Sequence, residues 1–167
     1  MIKDLYLSGI RYESFADGIG VRAVIFISGC KHNCPGCQSP MTHSFTAGHE
    51  VTDDVISSMI GEISNRKFLS GITLSGGDPF YSPKKVIELL SLIPIPHDNV
   101  WAYSGFTYEE ILKDSDRKQL LEHVDVLVDG PFIQDKRDIT LRFRGSSNQR
   151  IIDVKKSLAD GTIHELS

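Results

Sequence analysis

Long apolar runs are missing from this sequence, positive charge is in deficit, and cysteine is scarce. No stretch approaches the roughly 18 consecutive apolar residues of a membrane-spanning helix. Lysine and arginine number 18 against 22 aspartates and glutamates, a formal net charge of -4. That balance argues against nucleic acid as the main partner. The first residues include Lys3, Asp4, Arg11, Glu13 and Asp17, so the apolar segment of a secretory signal is not expected there. No repeat or low-complexity tract is visible. Together these absences point to a cytoplasmic protein with no membrane or nucleic-acid partner. What remains is 167 residues, 40% of them hydrophobic, enough for one domain spanning 1–167 around its own core.

Patterning along the chain alternates strand-like and helix-like segments. Residues 21–28 (VRAVIFIS) are β-branched and apolar, as a buried strand is. Residues 51–67 carry apolar side chains at helical spacing, with Thr52 before Asp53 and Asp54 as a helix start. Residues 71–75 read as a second strand. Residues 82–92 read as a helix with Pro83 at its first position. Residues 99–103 read as a third strand, and 107–122 as a helix opened by a Thr107/Glu110 capping box. A fourth strand is expected at 124–128 and a fifth at 150–154. This alternation implies right-handed crossovers and a mainly parallel sheet. The unusual residues follow the strands: the cysteines, then Gly76-Gly77-Asp78-Pro79, then Ser104-Gly105, then Asp129-Gly130-Pro131. In parallel α/β folds that edge carries the active site. A full eight-fold barrel typically needs about 200 residues or more, so a partial, open-sided barrel is expected.

The three cysteines, Cys30, Cys34 and Cys37, lie together at C-x3-C-x2-C spacing. An odd number does not suit a closed disulfide framework. Thiolates at this spacing suggest one metal centre. Two readings stand. A [4Fe–4S] cluster usually takes four thiolates, so three would leave one iron free for an exogenous ligand. Structural zinc would need a fourth ligand, which His32 or His43 could supply; the protein would then be a non-catalytic adaptor. Gly76, Gly77 and Asp78 could hold a ligand's ammonium group or simply make a strand-to-helix turn. Trp101 and Tyr103 are expected in the core.

The cysteine spacing resembles the cluster motif of radical S-adenosylmethionine (SAM) enzymes. The fuller run from Gly29 to Cys37 (GCKHNCPGC) resembles that of the anaerobic ribonucleoside-triphosphate reductase activating proteins. Asp17-Gly18-x-Gly20-x-Arg22 is similar to the opening segment of glycyl-radical activases. Ser75-Gly76-Gly77-Asp78-Pro79 resembles their amino-group-binding motif. Asp129-Gly130-Pro131-Phe132 and the run from Arg144 to Arg150 (RGSSNQR) resemble later blocks of the reductase activators. The resemblance covers about residues 17–154. Many radical SAM enzymes have an aromatic where this chain has Gly36, and glutamate where it has Asp78; both differences fit the reductase-activator subfamily.

The resemblance implies an α/β, partial, open-sided (β/α) barrel of the radical SAM type. It implies one [4Fe–4S] cluster on Cys30, Cys34 and Cys37, with the methionine end of SAM on the open iron. Gly36, Cys37, Gly76, Gly77, Asp78, Ser104 and Asp129 are the expected SAM contacts. Reductive cleavage of SAM would generate a glycyl radical on the large subunit of an anaerobic ribonucleoside-triphosphate reductase, or on another glycyl-radical enzyme such as pyruvate formate-lyase. Asp17, Arg22, Arg144 and Arg150 are the expected partner contacts. No second cysteine cluster exists in the sequence, so an external electron donor such as a flavodoxin is expected. An open barrel lacks a wall that a protein partner could provide.

Overall fold

The computed structural model describes residues 2–37 and 40–166. Its strands are β1 (Tyr6–Ser14), β2 (Arg22–Ile27), β3 (His49–Glu50), β4 (Gly71–Gly76), β5 (Val100–Tyr103), β6 (Val126–Asp129) and β7 (Arg150–Asp153). Its α-helices are α1 (Asp53–Ser64), α2 (Pro83–Leu92), α3 (Tyr108–Leu112), α4 (Ser115–Leu121) and α5 (Val154–Asp160). All seven strands form one sheet in the order β3-β1-β2-β4-β5-β6-β7.

The sheet is mixed, which corrects the expectation of a mainly parallel one. Its centre, β2-β4-β5-β6, is parallel, and each step is made through helical connections, as parallel pairing requires. The outer pairings are antiparallel: β1 with β2 and β3, and β7 with β6. The reason is connection length and content. Residues 15–21 are too few for a crossover, and residues 130–149 contain no α-helix. Among the described residues the sheet does not close into a barrel, since β3 and β7 remain its two edges.

The pleat gives the sheet two different faces. Ala23, Ile25, Ile27, Ile72, Leu74, Val100, Ala102, Leu127 and Ile152 point one way and are buried. Every α-helix contributes to that same cluster: Met59 and Ile63, Val86 and Leu89, Tyr108 and Ile111, Leu120 and Leu121, and Val154. The other face carries Arg22 and Phe26 on β2, Thr73 and Ser75 on β4, and Trp101 and Tyr103 on β5, side by side by register. No helix residue joins the small cluster of Trp101, Val126, Val128 and Ile151 on this face. Instead it is covered by the connections 15–21 and 130–149, and the functional cleft opens there.

Local chemistry explains the helix ends. Thr52 caps α1 by accepting from the Val55 N–H, and the Thr107/Glu110 capping box forms at α3 as the sequence predicts. The single helix expected at 107–122 is broken. Asp114 accepts from the Asp116 and Arg117 N–H groups and starts α4 anew, the usual use of an aspartate at an N-cap.

Candidate functional site

β2 runs buried to Ile27 and then releases the chain into the cysteine loop. The loop is fixed at its root by backbone hydrogen bonds, Gly29 N–H to Thr42 O at 2.8 Å and Cys30 N–H to His43 O at 3.0 Å. The loop after β4 locks onto it, with Gly77 N–H donating to Ile27 O and Asp78 N–H to Gly29 O. A Cβ on Gly77 would sit 2.6 Å from Gly29 O and 2.7 Å from Thr42 O. Glycine is required there because two backbones touch.

Cys30, Cys34 and Cys37 form no disulfide and line one cleft of about 420 Å³, within the ~300–1,000 Å³ range of small-molecule sites. Burial pushes the Cys30 thiol up to about 11, against a lowering backbone hydrogen bond at His32; Asp78 and the other two cysteines raise it further. A neutral, half-buried thiol is not an activated nucleophile. It can become a ligand by giving its proton up to a metal. Among the described residues no His, Cys, Asp or Glu side chains form a group that could hold a single metal ion. Three cysteines that share one cleft suit the separate irons of a cluster. The residues therefore fit a cluster. His43 Nε2 lies 3.4 Å from Cys37 Sγ, while the His32 ring is turned away from any ligand role.

His32 is instead bound to Asp78, Nε2 to Oδ2 at 2.6 Å, with its ring against Tyr81 and Phe106. Asp78 is buried and accepts from three further donors: the Ser104 hydroxyl, within reach of both carboxylate oxygens, Gly105 N–H and Phe80 N–H. The carboxylate ties together the cysteine loop and the loops after β4 and β5. It also caps the 3₁₀ turn Pro79–Tyr81. Its oxygens are engaged by donors inside the protein. Gly105 explains how the ring fits: a Cβ there would fall 2.6 Å from the His32 ring.

The cleft brings together the cysteines, Asp17, Gly76, Gly77 and Ser104, with Phe26, Ser75 and Tyr103 from the helix-free face of the sheet. Gly36 lies against the Gln134 side chain. Asp129 is buried away from the cleft; its carboxylate accepts from Tyr108 N–H and pairs with Arg150. Arg150 also pairs with Glu109. Both residues thus tie β6, β7 and α3 together. Arg22 is also held inside the protein. It is 1% exposed, bonded to Thr73, to Asn99 and to the Ile72 and Ile19 carbonyls. Burial draws it down to about 10, so it stays a cation at neutral pH, satisfied by acceptors from three segments. A surface contact is out of its reach.

Sequence reasoning singled out Arg144 as a partner contact but otherwise missed the part of the cleft lining that the connection 130–149 supplies. Phe132, Leu141, Phe143, Arg144, Gly145 and Gln149 supply it. Gln149 organises this connection: its side chain accepts from Gly145 and Ser146 N–H and donates to Gly130 O. The Phe143 ring packs edge-on against Trp101 at 5.2 Å. The RGSSNQR run was the available signal, but not which of its residues turn inward.

A 4Fe-4S single cluster domain family matches residues 16–152, which include all three cysteines and the whole parallel centre of the sheet. The chain belongs to this family. Several curated relatives are anaerobic ribonucleoside-triphosphate reductase-activating proteins. That of Vibrio cholerae is 37% identical over 141 residues, 81% of this chain and 89% of the relative. That of Escherichia coli is 35% identical over 139 residues, 80% and 88% of the two chains. That of Enterobacteria phage T4 is 32% identical over 142 residues, 82% and 86%. The chain is thus a member of the reductase-activating family and carries a 4Fe-4S domain. Among the described residues no helix is long and apolar enough to cross a membrane.

Proposed function

We propose that this protein is a radical SAM activase that generates a glycyl radical on an anaerobic ribonucleoside-triphosphate reductase. Cys30, Cys34 and Cys37 hold one [4Fe–4S] cluster, and SAM occupies the cleft beside it. When bound, cluster and SAM supply one-electron reductive cleavage and hydrogen abstraction from a glycine Cα of the reductase. The protein's own residues position and enclose. Gly76 and Gly77 offer backbone groups to the methionine end of SAM, and Ser104 and Tyr103 line its surroundings. Asp78 and His32 keep the cysteine loop against those glycines. An external donor such as a flavodoxin supplies the electron, and the work is done in the cytoplasm.

The observation that carries this reading is the sharing of one cleft by the three cysteines and the Gly76-Gly77 turn, at the C-terminal ends of parallel strands. Helices on one face only, with polar side chains on the other, also favour reading the sheet as a partial radical SAM barrel whose inner face is the cleft. The test mixes reduced, cluster-loaded protein with SAM and the reductase under anaerobic conditions. The reading expects 5′-deoxyadenosine and a glycyl-radical EPR doublet on the reductase. A doublet on pyruvate formate-lyase instead would reassign the partner; neither product would overturn the activity.

A further inference from the structure

His43 is not among the residues that line the cleft, and the function proposed above gives it no role. Its ring is nevertheless set against a cysteine sulfur. Nε2 lies 3.4 Å from Cys37 Sγ, a hydrogen-bonding distance for sulfur. The backbone holds the residue there. His43 O accepts from Cys30 N–H at 3.0 Å, and Thr42 O accepts from Gly29 N–H at 2.8 Å. Thr42 is buried. Two residues further on, the Phe45 ring fills the space beside Gly29, where a Cβ would fall 2.2 Å from the ring's Cδ1. One residue thus touches both ends of the cysteine triplet, Cys30 through its carbonyl and Cys37 through its ring. None of the backbone contacts requires an imidazole, so they stay available to another side chain at this position. A thiolate has no proton to give. Once Cys37 is a ligand, the contact is a hydrogen bond only with Nε2–H as the donor. Cys30 receives a donor of its own from the His32 backbone.

We propose that His43 tunes the reduction potential of the cluster by donating Nε2–H to Cys37 Sγ, an inference that rests on the cluster part of the function proposed above. Hydrogen bonds to the sulfurs are among the factors that set a cluster's potential. On reduction one electron passes from an external low-potential donor to the cluster, which gains one negative charge. No bond to His43 forms or breaks, and no proton moves. A donor aimed at a ligand sulfur stabilises the more negative state more strongly. It therefore raises the potential and makes reduction by the external donor easier. His43 is a positioning residue that acts through Cys37 rather than on the reacting atoms.

An EPR-monitored potentiometric titration of the anaerobically reconstituted protein, without SAM, tests this apart from turnover. Iron and sulfide analysis and circular dichroism accompany each variant. His43→Phe keeps a ring and removes the donor; His43→Leu is the second donor-free variant. In either, the one-electron reduction equilibrium is expected to be about 3- to 10-fold less favourable than in wild type, a midpoint lower by about 30–60 mV at about 59 mV per tenfold. His43→Gln keeps an N–H donor and should recover part of the shift. An unchanged or raised midpoint in the donor-free variants would overturn the proposal, as would a His43→Gln midpoint no higher than theirs. Loss of iron with an unchanged midpoint in the cluster that remains would mark a structural contact only, and would overturn it while leaving the proposed function intact. Wild-type protein that takes up no iron and sulfide would overturn the proposed function and this inference with it.

Discussion

Asp78 accepts hydrogen bonds from His32, Ser104, Gly105 and Phe80, so its removal leaves several buried donors unmet. Each such group costs about 1–3 kcal/mol. Asp78→Ala is therefore expected to lower unfolding free energy by about 3–5 kcal/mol in urea titration, and to reduce iron retention because the cysteine loop loses its tether. Unchanged stability would contradict this role. Tyr103 makes a pH prediction. Its ionisation is raised by burial first and by Asp17 second, with Arg22 opposing. The folded value lies above the unfolded value of about 10, so the contribution to stability is intact below about pH 10 and is lost as pH rises beyond it. Tyr103→Phe should lose less stability than wild type between about pH 9 and about pH 11, as urea midpoints will show; equal losses would count against it. At this scale the sequence revealed which residues matter but not how they are used. Asp78, Asp129, Arg22 and Arg150 all sit in recognisable motifs. Whether a motif carboxylate faces a ligand or its own loop depends on burial among residues distant in sequence, such as Arg22 against Asn99.

The elements best read from sequence were those whose signals are local. The capping box at Thr107, the cap at Thr52 and Pro83 at the start of α2 all stand where the sequence put them. The strands of the parallel centre were legible from their apolar runs. β1, β3 and α5 were not: β1 is only partly buried and polar at several positions, and β3 is a two-residue pairing that exists only because β1 is beside it. The loop between β4 and α2 yields a paired prediction. Gly77→Ala drives a methyl group into two carbonyl oxygens and should cost about 1–3 kcal/mol while loosening the cysteine loop. Gly61→Ala, in the exposed middle of α1 with nothing within 4 Å, should add about 0.5–1 kcal/mol. Thermal melts of the two variants should move in opposite directions; a Gly77→Ala melt at or above wild type would refute the close packing.

The whole molecule is a sheet with helices packed on one face and a cleft on the other. Four parallel strands deliver their C-terminal loops to that cleft, and the connection 130–149 contributes to its lining. Among the described residues the only arginine or lysine lining the cleft is Arg144 and the only carboxylate is Asp17, so the charge of -4 is carried mostly elsewhere. The central claim is that three thiols hold a cluster with one iron left for SAM. The most direct measurement is the EPR spectrum of the reduced, anaerobically reconstituted protein with and without saturating SAM. The account predicts a cluster signal that changes shape on adding SAM and is lost in Cys34→Ala. A signal indifferent to SAM, or protein that takes up zinc and no sulfide, would contradict it.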